Sequence, residues 1–307
     1  MKVAHFTGSD GVKIYYRYWI PSDDVVKGVV HILHGMAEHS KRYDEFATYL
    51  NTQNIAVYAQ DHRGHGLTGE KETLGWFAQK DGFEKVVNES HQLASIIAKK
   101  YKNQKIVLLG HSMGSFIGRT LITKSPLLYC CAIFSGTGYT QGALGKVGKS
   151  LAYFRSLGKN SKRPDKVLDK LSFGSFNNAF KPNKTQFDWL SRDESEVKKY
   201  VDDPLCGFVC SSRFFYDLLS GIELAHKRSL AAKIPKSFPI MFISGTKDPV
   251  GNFSKGLKSV VKFYESIGLK KVTLKLVEDG RHELLNEINR TDIYKQIGNY
   301  IQRRIKG

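Results

Sequence analysis

The sequence predicts an α/β protein built on a doubly wound, mostly parallel sheet that carries a helical insertion. Three features predict it. Short apolar runs of buried-strand length alternate with helix-period segments through the first 135 residues. The alternation stops between 139 and 228, a block rich in Lys, Phe and Gly with short helical patterns and no convincing strand. It resumes at Ile240 and ends in an amphipathic helix with Ile293, Ile297, Ile301 and Ile305 on one stripe. The expected division is a core of residues 1–138 and 229–307 with an inserted cap of 139–228.

Taken in order, residues 12–19 are β-rich and follow the turn Ser9-Asp10-Gly11, which predicts an early antiparallel strand. Residues 28–33, 55–59, 105–109 and 130–134 are apolar runs expected to be buried strands. Between them, Tyr43, Phe46, Ala47 and Leu50 share one helix face. Asp81 is placed as the N-cap of a helix carrying Phe83, Val86, Ser90, Leu93 and Ile97. A further helix is expected from about Ser112 to Lys124, before Pro126. After the insertion come a strand at 240–243, a helix near 254–267, a strand at 272–277 and the final helix.

Composition narrows the function classes. The chain has 307 residues, 41% hydrophobic and 25% charged, as in ordinary globular domains rather than disordered chains. No apolar run approaches the roughly 20 residues of a membrane span. The first ten residues lack the apolar core of a secretory signal, so a cytoplasmic location is expected. Four cysteines, Cys130, Cys131, Cys206 and Cys210, make no disulfide framework and no zinc spacing; buried or partly buried free thiols are expected, with 206 and 210 able to share a helix face. Lys and Arg number 47 against 29 Asp and Glu, a net charge of +18 that favours anionic surfaces without choosing among them. No nucleic-acid motif accompanies it, and no nucleic-acid partner is expected.

The chemistry gathers at strand ends. Gly110-His111-Ser112-Met113-Gly114 is a G-x-S-x-G pattern between a buried strand and a helix. That context exposes the Ser112 hydroxyl at a tight turn, beside the free N–H groups of a helix N-terminus. A serine needs a base, and His282 follows the last strand. The base needs an acid to fix its tautomer, and Asp248 follows the strand at 240–243. Asp279 is a rival acid three residues before the histidine. Two N–H donors are needed for an oxyanion. The amide of Met113 directly follows the nucleophile, and the amide of Met36 lies in the loop His34-Gly35-Met36 after a strand. His34 is expected to be structural. Asp61, His62 and His65 invite a metal reading, but no fourth ligand stands out and no metal or cofactor is expected.

These pieces resemble the α/β-hydrolase superfamily, in the group of monoacylglycerol lipases, bacterial lysophospholipases and serine aminopeptidases of the S33 type. The matching segments are H-G-M-A-E-H at 34–39, D-H-R-G-H-G at 61–66, G-H-S-M-G at 110–114, G-T-K-D-P-V-G at 245–251 and D-G-R-H-E at 279–283. In the inserted block, D-W-L-S-R-D at 188–193 and D-P-L-C at 203–206 resemble the bacterial members. Leu67-Thr68 departs from the group, which usually has a polar residue and then Ser there. The resemblance implies an α/β-hydrolase fold with its cap after the sixth strand. It also implies a triad of Ser112, Asp248 and His282 with the Met36 and Met113 amides as oxyanion donors.

The expected activity is carboxylic ester hydrolysis through an acyl-enzyme, on a single-chain acyl lipid such as a monoacylglycerol or lysophospholipid. Alternatives are a broad esterase for short-chain or aromatic esters, an aminopeptidase needing acidic cap groups to hold an amine, or a non-catalytic binding protein. The cap's net charge of +6 and its apolar residues suit an amphiphile at an anionic membrane surface. Its apolar residues include Leu144, Val147, Leu151 and Phe154 at helical spacing, with Phe173, Phe176, Phe180, Phe208, Phe214, Phe215, Leu218 and Leu219; most are expected to pack the cap onto the core, and a subset facing the sheet to line an acyl-chain pocket.

Overall fold

A computed structural model describes residues 1–22, 25–70, 73–140 and 142–306. Eight strands form one sheet: β1 (Lys2–Thr7), β2 (Lys13–Trp19), β3 (Gly28–Leu33), β4 (Ile55–Gln60), β5 (Ile106–His111), β6 (Cys131–Ser135), β7 (Ile240–Gly245) and β8 (Val272–Val277). Their spatial order is β1-β2-β4-β3-β5-β6-β7-β8. β1 and β2 pair antiparallel, β2 runs antiparallel to β4, and β3 through β8 are parallel. Strand β1 was not legible as a strand: only Phe6 of its six side chains is buried, so no apolar run marks it. With β1 counted, the insertion follows the sixth strand.

Strands β3, β4, β5 and β7 are buried along their whole length, because helices cover both faces. Alternate residues serve two separate cores. Val29, Leu33, Leu108, Phe134 and Phe242 face one side; Val30, Ile32, Leu109, Ile133 and Met241 face the other. Each such side chain, wholly removed from water, stabilises the fold by roughly 1.5–3 kcal/mol.

The helices are α1 (Asp44–Asn51), α2 (Gly66–Glu70), α3 (Gly82–Lys100), α4 (Met113–Lys124), α5 (Gly142–Arg155), α6 (Lys166–Phe173), α7 (Glu194–Asp202), α8 (Ser212–Ala225), α9 (Arg228–Ala231), α10 (Lys255–Ser266) and α11 (Arg290–Lys306). Helices α5 to α8 lie in the insertion, and α9 straddles its expected end at 228. On α11, Ile293, Ile297 and Ile301 are buried and Ile305 is half-buried, as the stripe predicts. No helix among the described residues is long and apolar enough to cross a membrane.

Three expectations need correction. Asp81 does precede α3, but its backbone is left-handed (φ 54°) and its side chain caps no N–H. Cys206 and Cys210 share no helix: the chain between them bends at Gly207, with φ +65°. Leu144, Val147, Leu151 and Phe154 do not pack onto the core; they are 71%, 66%, 38% and 68% exposed. Only Ala152 of α5 is buried, whereas α8 buries Phe214, Phe215 and Leu218. The periodic pattern marks an apolar helix face correctly but cannot say what covers it.

Candidate active site

Strand β5 ends in a turn whose apex is Ser112. Its backbone has φ 50° and ψ −117°, a strained conformation for a residue with a side chain. The turn is held by the Ser112 N–H, which donates to Ser135 O at the end of β6 (2.9 Å). Ser115 Oγ donates to Ser112 O (2.5 Å) from inside α4. Gly114 is required: a Cβ there would sit inside the Leu33 carbonyl. A Cβ at Gly110 would lie 2.5 Å from Gly114 O. Strand and helix cross too closely for either. Met113, whose amide is a candidate oxyanion donor, is the first residue of α4.

His282 lies in the loop after β8, buried at 3% exposure. Its Nδ1 bonds Asp248 Oδ1 at 3.0 Å. Asp248, fully buried in the loop after β7, also accepts from Ser244 Oγ (2.8 Å) and from the Val250 amide (2.9 Å). Burial pushes the Asp248 carboxyl up, but His282 and these donors outweigh it and hold it below the usual range. Burial pushes the His282 imidazole down, and Asp248 reverses this and raises it above 6.5. The structure thus pairs His282 with Asp248. Asp279, the rival, is an exposed turn residue with φ 54° whose amide donates to Thr246 Oγ1 (2.9 Å).

Ser112 and His282 each lie beside a glycine that also packs against His111. A Cβ placed on Gly35 would come within 3.2 Å of Ser112 Cβ, and one on Gly136 within 3.0 Å of His282 Nδ1. Both positions also touch the ring of His111, which packs on His282 with centroids 4.7 Å apart. Among the described residues no hydrogen bond joins the Ser112 hydroxyl to His282; such bonds are often long in resting enzymes and tighten around substrate.

The loop carrying Met36 is braced from below. Gly35 N donates to Glu38 Oε1 (2.5 Å), which also accepts from Tyr43 Oη (3.0 Å). Arg42 forks onto both Glu283 oxygens (2.6 Å each) and reaches Glu38 Oε2 (3.0 Å). Burial alone would raise the Glu283 carboxyl, but the Arg42 guanidinium outweighs it and holds the carboxyl well below the usual range. His34 takes its structural place: Nε2 accepts from the His62 amide (3.0 Å), so Nδ1 carries the proton donated to Gly35 O (2.7 Å). The Asp61 carboxylate is filled by donors from Arg17, Ser40 and Leu67.

Sequence reasoning missed the supports of His282. Trp189 packs its ring on the imidazole (centroids 5.0 Å) and its carbonyl accepts from the His282 amide (3.4 Å). Leu190 O accepts from Glu283 N (2.7 Å), and Arg281 donates to Ser191 O (3.0 Å) and to Asp188 O. Arg192 pairs with buried Glu287 (2.8 Å). The inserted segment 188–193 is therefore fastened to the loop that presents His282. Its D-W-L-S-R-D motif was the available signal, though nothing in its spacing told what it touches.

Comparison with known proteins finds relatives along nearly the whole chain. The chain is 28% identical over 308 residues to monoglyceride lipase of Mus musculus, covering 99% of this chain and 91% of that one. It is 28% identical to monoacylglycerol lipase of Mycolicibacterium smegmatis, covering 92% and 90%. A solved carboxyl esterase from Bacillus coagulans, in complex with glycerol, superposes with a TM-score of 0.91 at 26% identity over 99% of this chain and 98% of that one. The family profile described as serine aminopeptidase, S33 matches residues 24–289, and the chain belongs to that family of α/β-hydrolases.

Proposed function

We propose that the protein hydrolyses the ester bond of monoacylglycerols, with Ser112 as nucleophile, His282 as base and Asp248 as its orienting acid. His282 takes the Ser112 proton as Oγ attacks the ester carbonyl. The Met36 and Met113 amides hold the oxyanion. His282 then protonates the leaving glycerol and activates water to clear the acyl-enzyme. The observation that carries this reading is the buried His282–Asp248 pair beside a strained Ser112 turn. Residues 139–228 serve as the cap in this reading.

The peptidase alternative needs a carboxylate free to hold a substrate amine. Near the site, Glu38 and Glu283 are both engaged by Arg42. In the cap, Asp165 pairs with Arg155 and Asp193 with Arg290, while Asp217 meets Arg213 through Oδ1 only and keeps Oδ2 unpartnered among the described residues. Ester chemistry needs no such group. The exposed face of α5, with Leu144, Val147 and Phe154 beside Lys146, supports a cap that meets an anionic lipid surface. The cytoplasmic location read from the sequence belongs to the same proposal.

The test is a panel of initial rates on 1-monoacylglycerols of several lengths, lysophosphatidylcholine, short p-nitrophenyl esters, methyl ferulate and an aminoacyl amide. Long-chain monoacylglycerols should lead. Ser112→Ala should cut kcat on the order of 10⁶-fold with an unchanged fold. A preference for aminoacyl amides, or full activity without Ser112, would sink the reading. The pH profile is a second check. The base works only when unprotonated, and Asp248 raises the pH at which His282 gains its proton. The acid limb of kcat/KM should therefore fall above pH 6.5. Asp248→Asn should lower kcat by roughly 10⁴-fold and move that limb to lower pH.

A further inference from the structure

We infer that His39, Asp203 and Cys206 form a binding site for a zinc-type divalent cation that clamps the cap to the loop carrying Met36. One potential ligand atom from each residue lies within 4.8 Å of the other two. His39 Nε2 and Asp203 Oδ2 are already 2.9 Å apart. Bond lengths of about 2.0–2.3 Å to N, O and S place ligand atoms of a tetrahedral ion roughly 3–4 Å from one another. The three residues thus need shifts of only about 1–2 Å.

The surroundings favour an ion over a simple ion pair. His39 and Cys206 are buried at 3% and 8% exposure, which shields two of the three ligand atoms from competing water. The Leu205 amide donates to Asp203 Oδ1 (2.8 Å), which orients the carboxylate and leaves Oδ2 toward His39. Imidazole, carboxylate and thiolate together are a set that zinc accepts, with a fourth position left for water. On binding, the Cys206 S–H bond breaks, its proton leaves to solvent and an S–metal bond forms. One thiolate and one carboxylate then neutralise the dication. The nearby Arg42 charge is taken up by Glu38 and Glu283.

The place of this cluster gives it a consequence. His39 closes the segment 34–39, while Asp203 and Cys206 belong to the inserted block. The two are already in register, since Gly207 N and Tyr200 Oη both donate to Ala37 O (3.0 and 2.9 Å). A bound cation would lock that register one residue pair away from the Met36 amide. This inference does not depend on which ester is cleaved.

The test is titration of the reduced full-length protein with Cd²⁺, read by the ultraviolet cadmium–thiolate charge-transfer band, and competition with Zn²⁺. One equivalent should bind, and Zn²⁺ should displace it. Cys206→Ser should abolish the band. His39→Gln, a second variant in case the first fails to fold, should weaken binding by more than the roughly 10–100-fold cost of losing an outer-shell partner. Cys130→Ser and Ser112→Ala should leave both band and affinity unchanged. Zn²⁺ should raise the melting temperature of the wild type but not of Asp203→Asn. Absence of the band at saturating Cd²⁺, or its loss in Cys130→Ser with retention in Cys206→Ser, overturns the site. Because the readouts do not use turnover, their failure is distinct from failure of the lipase reading.

Discussion

The two halves of the inserted block behave as opposites. Segment 188–207 is stitched to the core: Trp189 on His282, Arg192 on Glu287, Tyr200 and Gly207 on Ala37. Helix α5 carries a comparable load of apolar side chains and leaves nearly all of them in the open. One half helps to hold the site in shape, and the other is free to meet something outside the protein. The lesson is that a lid need not be one body. Its anchored part packs on His282, and its exposed part makes no such contact, which suits the proposed meeting with a lipid surface.

The difference can be broken from the anchored side first. Arg42→Met leaves Glu38 and Glu283 buried beneath the site without their cation. It should cost about 3–5 kcal/mol, read by denaturant unfolding, and should disorder the Gly35–Glu38 loop enough to lower kcat. A loss under about 1 kcal/mol would mean that the cluster reorganises and that the bracing is unimportant. Trp189→Ala should be milder, roughly 0.5–3 kcal/mol, because the ring is only partly buried. Its signature is kinetic: kcat falls on soluble and lipid esters alike, since His282 loses its packing partner. Smallest in stability are Leu144→Ser, Val147→Ser and Phe154→Ser, each within about 0.5 kcal/mol of wild type. They should slow hydrolysis in anionic vesicles while sparing a short p-nitrophenyl ester. An equal loss on both substrates would place α5 with the anchored half.

Much of this was readable from the chain, for reasons that differ by residue. Ser112, Asp248 and His282 each follow a buried strand, and strands with helices on both faces declare themselves as apolar runs. Chain order then assigned the roles. Arg42–Glu283 could not be read, because a pair 241 positions apart leaves no local pattern. The exposure of α5 was missed because an apolar stripe looks the same whether protein or lipid covers it. Strand β1 was missed for the opposite reason: it lies at the sheet edge and buries only Phe6.

The wide spacing of the triad also bears on how the molecule is made. By the time β6 leaves the ribosome, β5 and the turn bearing Ser112 can already rest between their neighbours β3 and β6. The next residues, 136–239, are the cap and its connections, and only then does β7 arrive to pair with β6. At about 5–20 residues per second this interval lasts roughly 5–20 s. Throughout it the growing chain contains Ser112 but neither Asp248 nor His282. The anchored segment 188–193 must also wait, because its partners Arg281, His282 and Glu287 are among the last residues synthesised. On the proposed reading, a nascent chain therefore lacks a complete triad until its final helix is nearly synthesised.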